Sequence, residues 1–270
     1  MPKQSNERSS KKCPKGHAVC KCDMKKKSIP KVLKVKDEDP NENFDDIHPN
    51  LMAMPSLTLI IGSVRSGKSN LLVNYFCNPD FYKDKFDVVK FISTTLHTDN
   101  KGKILSKHFD CIDHYEDGII EEIKKEQGKY DKSERPTYAL VMDDVLTKDF
   151  KKGNQVSFFS TRFRHYIDFY IIAVQSFRAV SGMIRNNATD VIICKQQNQK
   201  ELEKIAEEYG DMVGGHDNFM KLYDEAHKDR YSFLYLKLSE NPAEAYIRHE
   251  RKIYPTRDSD EAEELEIDDI

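Results

Sequence analysis

The sequence predicts an α/β fold: a mainly parallel sheet flanked by helices, with an antiparallel hairpin added at its C-terminal end. Three observations carry this. An apolar strand runs straight into a glycine-bounded, lysine-bearing loop; a second apolar run ends in two adjacent aspartates; and strand-like and helix-like stretches alternate around them.

The first strand, Leu57-Thr58-Leu59-Ile60-Ile61, leads into Gly62-Ser63-Val64-Arg65-Ser66-Gly67-Lys68-Ser69. This matches G-x-x-x-x-G-K-[ST], the phosphate-binding Walker A loop. Gly62 and Gly67 let the backbone curl so that successive N–H groups point inward, and a helix opening near Lys68 adds its positive end, making a nest for an anion. Lys68 is expected to neutralise charge on the β- and γ-phosphates of ATP, and the Ser69 hydroxyl to coordinate Mg²⁺. The apolar residues after Ser69 suit a helix packed on a sheet.

A buried strand follows over 87–93 and closes in Ser93-Thr94-Thr95. The polar stretch from 96 to 136 shows one helix candidate, 116–127, with Gly118 near its start. Tyr138-Ala139-Leu140-Val141-Met142-Asp143-Asp144 then reads as a Walker B strand. Such a strand delivers Asp143 to its C-terminal edge, where it can hold the Mg²⁺ hydration shell, and Asp144 reaches toward the γ-phosphate as the candidate to activate water.

A helix is expected over 156–166, carrying Arg162, Arg164 and His165. It leads to the strand Phe169-Tyr170-Ile171-Ile172-Ala173-Val174, closed by Gln175-Ser176. If that strand lies beside the acidic one, Gln175 can hydrogen-bond the attacking water or the γ-phosphate; otherwise it caps a loop. Arg178 and Arg185 follow, then a strand over 190–194. An arginine reaching a neighbouring subunit's γ-phosphate would stabilise transition-state charge, and Arg162 and Arg185 rank ahead of Arg164 and Arg178 for that role. Helices are expected over 199–210, with Leu202, Ile205, Ala206 and Tyr209 on one face, and over 217–226. Two alternating strands, 231–238 and 243–253, joined by Ser239-Glu240-Asn241-Pro242, form the terminal hairpin.

Charge is distributed unevenly. The net charge is only −3, yet residues 1–36 hold twelve Lys or Arg against two acids, and residues 258–270 hold eight acids and no base. This gives a basic arm and acidic linker over 1–50, a folded body over 51–256, and an acidic tail over 257–270 that self-repulsion keeps disordered. With no apolar run long enough to span a bilayer and no secretory signal, the expected location is intracellular. Cys77, Cys111 and Cys194 read as small buried hydrophobes, without a disulfide framework. Cys13, His17, Cys20 and Cys22 are dense enough to close around zinc, although the spacing is not that of a standard finger; the other reading is a disordered basic arm that contains cysteines.

The acidic strand lies one strand beyond that of the phosphate loop, the pattern of RecA-like (ASCE) P-loop NTPases rather than of nucleotide kinases and GTPases. The chain has no [NT]-K-x-D guanine-reading motif, which favours ATP. On Gly62-Ser-Val-Arg-Ser-Gly-Lys-Ser69, on Val141-Met-Asp143-Asp144 with Asp where many relatives have Glu, and on Gln175-Ser-Phe-Arg178 before Ile184-Arg185-Asn186, the chain resembles the genome-packaging ATPases of nucleocytoplasmic large DNA viruses. These are the poxvirus-type branch of the FtsK/HerA superfamily, and the resemblance covers about residues 55–255. It implies a homo-oligomeric ring, expected hexameric, that hydrolyses ATP to drive double-stranded DNA into a preformed capsid. An arginine finger donated between subunits, contacts with capsid or membrane-associated virion proteins, and location in cytoplasmic viral factories and in the virion follow from the same resemblance. A helicase or replication-associated ATPase on this core, or an ATP-switched assembly scaffold, are the alternatives.

Overall fold

The structure, a computed structural model, describes residues 44–95, 100–131, 133–145 and 155–255. The zinc candidates Cys13, His17, Cys20 and Cys22, most of the basic arm, and the acidic tail lie outside the described residues.

The described residues form a nine-stranded sheet of β1 (Ser56–Ile61), β2 (Val88–Ser93), β3 (Asp110–Ile112), β4 (Tyr138–Asp143), β5 (Phe169–Val174), β6 (Asp190–Cys194), β7 (Phe233–Lys237), β8 (Glu244–Ile247) and β9 (Arg251–Tyr254). Their spatial order is β3-β2-β4-β5-β1-β6-β7-β8-β9. The first six in that order pair in parallel and β7 to β9 are antiparallel. The central strands are apolar almost throughout because both faces are covered. Leu57, Leu59 and Ile61 of β1 face one core layer and Ile60 the other, as the two-residue period of a strand requires.

Helix α1 (Lys68–Cys77) covers one face together with α2 (Asn100–His108), burying Leu72, Tyr75, Phe76 and Leu105. The opposite face is covered by α3 (Asp117–Gln127), α4 (Gln155–Ser160), α5 (Gly182–Asn187), α6 (Gln199–Tyr209) and α7 (His216–Ala226). Phe44, inside the stretch read as linker, is already packed: its ring lies 5.4 Å from that of Phe86, and Leu51 and Met52 are buried.

Three elements differ from the sequence reading. The helix expected over 156–166 ends at Ser160 and tightens into a 3₁₀ turn at Phe163–His165. Ser160 Oγ and Thr161 Oγ1 donate to the carbonyls of Ser157 and Phe158, at 2.7 and 2.8 Å, beside the backbone bonds that would have continued the helix. The hairpin is a three-stranded meander, because the stretch 243–253 reverses at residues 248–250, where Arg248 takes φ 54°. The turn carries His249 into the core, where it is 9% exposed. Finally, α2 and β3 lie in the stretch that showed a single helix candidate; α2 buries only Gly102 and Leu105, too few apolar positions to leave a period.

Candidate functional site

The phosphate loop occupies the C-terminal edge of the parallel strands, between β1 and α1. Gly62 N donates to Val174 O (3.1 Å) and Ser63 N to Lys195 O (3.2 Å), so the loop is tied to both neighbours of β1. Gly62 has no room for a side chain: a Cβ there would stand 2.4 Å from Ser66 Oγ and 2.6 Å from Cys194 Cβ. Gly67 takes φ 108°, a conformation open to glycine at little cost, and caps α1 without a side chain. Arg65 is also left-handed, φ 63°, and like Val64 it is exposed. The first turn of α1 holds no acid, so no carboxylate of that turn offsets the positive end of the helix dipole.

Lys68 is 5% exposed. Its Nζ donates to Gly62 O at 2.8 Å and Ser63 O at 3.4 Å, and lies 4.0 Å from Asp144 Oδ1. Beneath the loop the Cys194 thiol is pushed up to about 12 by burial, opposed in part by Lys68 and Ser66, so it stays protonated and inert at neutral pH.

β5 lies between the phosphate-loop strand β1 and the acidic strand β4, with Ile61 opposite Val174 and Asp143 opposite Ala173. This order brings three separate sequence motifs, the phosphate loop, the paired acids and the glutamine, to one edge. Gln175 Nε2 donates to Asp144 Oδ2 at 2.8 Å. Asp144 N extends the ladder to Ala173 O (3.0 Å), and its carbonyl accepts from Thr94 Oγ1 (3.1 Å). Asp144 sits at φ 52°, a left-handed turn that ends the strand and swings its carboxylate toward the loop. Gln175 therefore reaches the acid, as it must if it is to do more than cap a loop.

Ser69 Oγ donates to Asp143 Oδ2 at 3.5 Å, and a narrow cleft beside them is lined by Ser93, Thr95 and Lys101. A hydroxyl and a carboxylate are the hard oxygen donors that Mg²⁺ takes, with water and substrate oxygens completing its shell. The residues present fit that ion. When bound, it would neutralise charge developing on the phosphates.

The arginines fall elsewhere. Arg185 Nη1 pairs with Glu208 at 2.6 Å, and its guanidinium lies 4.9 Å from the centre of the Phe177 ring, so it is engaged within its own chain. Arg178 Nε pairs with Glu201 at 3.3 Å. Arg162 is exposed, and its guanidinium has no hydrogen bond or ion pair to any described residue; it precedes β5, near the edge where the parallel strands begin, opposite its own phosphate loop. Thr94 and Tyr231 also belong to this edge. The sequence reading passed over them as strand termini, because only the packing of β2 against β4 and of β7 against β6 puts them there.

No protein-family model matches the chain. It is 25% identical over 187 residues, 67% of its length, to uncharacterized protein 088R of Invertebrate iridescent virus 3, of which it covers 69%. Among solved structures it is similar to the DNA-packaging ATPase B204 of Sulfolobus turreted icosahedral virus, with TM-score 0.53 and 18% identity over 73% of this chain and 98% of that one. A likeness of TM-score 0.51, at 15% identity, relates it to the genome-packaging NTPase B204 of Sulfolobus turreted icosahedral virus 2 in complex with ATP-γS, over 72% of this chain and 96% of that one. The chain therefore carries the fold of these viral packaging NTPases.

Proposed function

We propose that this protein is an ATPase that couples hydrolysis to translocation of double-stranded DNA, packaging a viral genome into its capsid. The observation that carries the enzymatic part is the 2.8 Å bond from Gln175 to Asp144, on a strand set between the phosphate loop and the acidic strand. Lys68 and the amides of the 62–69 loop would bind the β- and γ-phosphates, and Ser69 and Asp143 would hold Mg²⁺. Asp144 would take the proton of the attacking water while Gln175 orients the carboxylate and senses the γ-phosphate.

DNA as the driven substrate rests on the fold shared with B204, which is described as a DNA-packaging ATPase. The working form would be a ring, hexameric by the resemblance, docked on capsid or virion proteins. Within it Arg162, without an ion pair among the described residues, is the better donor to a neighbour's γ-phosphate, since Arg185 is held by Glu208. DNA contacts would be mainly to phosphate and so weaken steeply with salt.

Displacement of a third strand from a triplex on long duplex DNA tests translocation. ATP-dependent displacement without separation of the duplex supports it. Strand separation would favour a helicase, and no displacement together with DNA-indifferent hydrolysis would favour a scaffold.

A further inference from the structure

We propose that Tyr231, backed by Arg230, is the stacking platform for the purine base of the bound nucleotide. The proposal rests on the phosphate-site reading above and adds what that site does with the other end of its ligand.

Direction comes first. Asp143, Asp144 and Gln175 stand at the C-terminal ends of β4 and β5, to one side of β1, and so mark the γ-phosphate end. A nucleotide lying across the loop must carry its base to the other side, over the ends of β6 and β7. Tyr231 stands there. It immediately precedes the stretch where Phe233 pairs with Cys194 at the C-terminal end of β6, and its ring lies against the loop: a Cβ on Gly67 would be 3.8 Å from Tyr231 Cδ1.

The side chain has the properties of a platform. It is 59% exposed although its neighbour Ser232 is 2% exposed. Its φ is 63°, which is sterically costly for an aromatic residue, and burial of the ring does not offset that cost. Strained conformations held in this way concentrate where a ligand is met. The Arg230 guanidinium lies over the Tyr231 ring, 4.6 Å from its centre, and donates from Nη2 to the hydroxyl at 2.8 Å, which fixes the ring plane and backs one face with a cation. An aromatic ring backed in this way can stack a purine on its other face. Behind it, the Tyr223 hydroxyl accepts from Gln196 N at 2.7 Å, and Ser63 Oγ accepts from Gln197 N at 2.9 Å, so the floor after β6 is held rigid.

The test compares dissociation constants for Mg-ATP and Mg-tripolyphosphate on the full chain, by calorimetry, for wild type, Tyr231→Phe, Tyr231→Ala, Tyr231→Gly and Lys68→Ala. Tyr231→Gly relaxes the left-handed backbone and so keeps a folded variant without the ring. Expected is an ATP affinity lowered on the order of tenfold in the Ala and Gly variants, with tripolyphosphate unchanged and Phe close to wild type. Equal weakening of both ligands, or no change for ATP, would overturn the platform while leaving the phosphate site standing. A wild type that binds neither ligand, or binding indifferent to Lys68→Ala, would overturn the phosphate-site reading and this proposal with it.

Discussion

Acidification from pH 7 to 4 is expected to cost the fold about 3 kcal/mol at one imidazole, His249. The ring is enclosed by Tyr75, Phe81, Phe233 and Tyr235, with centroids 4.8 to 6.0 Å away. Its Nδ1 lies 3.1 Å from Asn50 O, which can only accept, so Nδ1 carries the proton and Nε2 accepts from the Tyr75 hydroxyl at 2.8 Å. Burial, with a small contribution from His48, lowers its pKa from 6.5 to about 4. Because the folded value is the lower one, the unfolded chain binds more protons between these limits. Stability is complete above about pH 6.5 and falls as the pH drops toward 4; the loss is about 2 kcal/mol by pH 5 and about 3 by pH 4. Urea denaturation of wild type and His249→Gln at pH 7, 6, 5 and 4 isolates this one group. The variant should be less stable at pH 7 but with a shallower acid dependence, the two curves converging by about 2 kcal/mol at pH 5. Profiles that stay parallel across that range would refute the buried neutral imidazole. Tyr75 belongs to α1, so loosening here reaches the helix that the phosphate loop opens.

Gln175→Ala, which removes the 2.8 Å bond to Asp144, should lower kcat roughly a hundredfold with the KM for ATP changed only a few-fold, as steady-state kinetics would show. Gly62→Ala forces a Cβ against Cys194 and Ser66 and should cost about 1–3 kcal/mol in thermal denaturation, whereas Gly118→Ala, with nothing within 4 Å, should add roughly 0.5–1 kcal/mol. Arg162→Ala should leave subunit stability unchanged, within about 0.5 kcal/mol, yet poison wild-type rings when mixed in. Arg185→Ala should lower stability through loss of Glu208 and the Phe177 contact, by about 1 kcal/mol.

The parallel core was legible because each of its buried strands is a short apolar run with punctuation at its end: glycine after Ile61, paired acids after Met142, Gln175 after Val174. The same feature exposed the phosphate loop, Asp143 and Asp144. What the sequence left open was adjacency. That Gln175 meets Asp144 depends on β5 inserting between β1 and β4, a non-local choice that no local pattern states. Tyr231 read as the first residue of a strand, since neither its left-handed backbone nor its proximity to Gly67 has a local signature. The third C-terminal strand was hidden because the reversal at residues 248–250 uses Arg248, His249 and Glu250, none of them a habitual turn residue.

Steady-state ATP hydrolysis, with and without long double-stranded DNA, for wild type, Lys68→Ala and Asp144→Asn, addresses both the site and its coupling. Expected is hydrolysis stimulated by duplex, weakened by salt, and lost in both variants. Hydrolysis that survives either substitution would contradict the assignment of the site, and wild-type hydrolysis indifferent to duplex would contradict the DNA-driven motor.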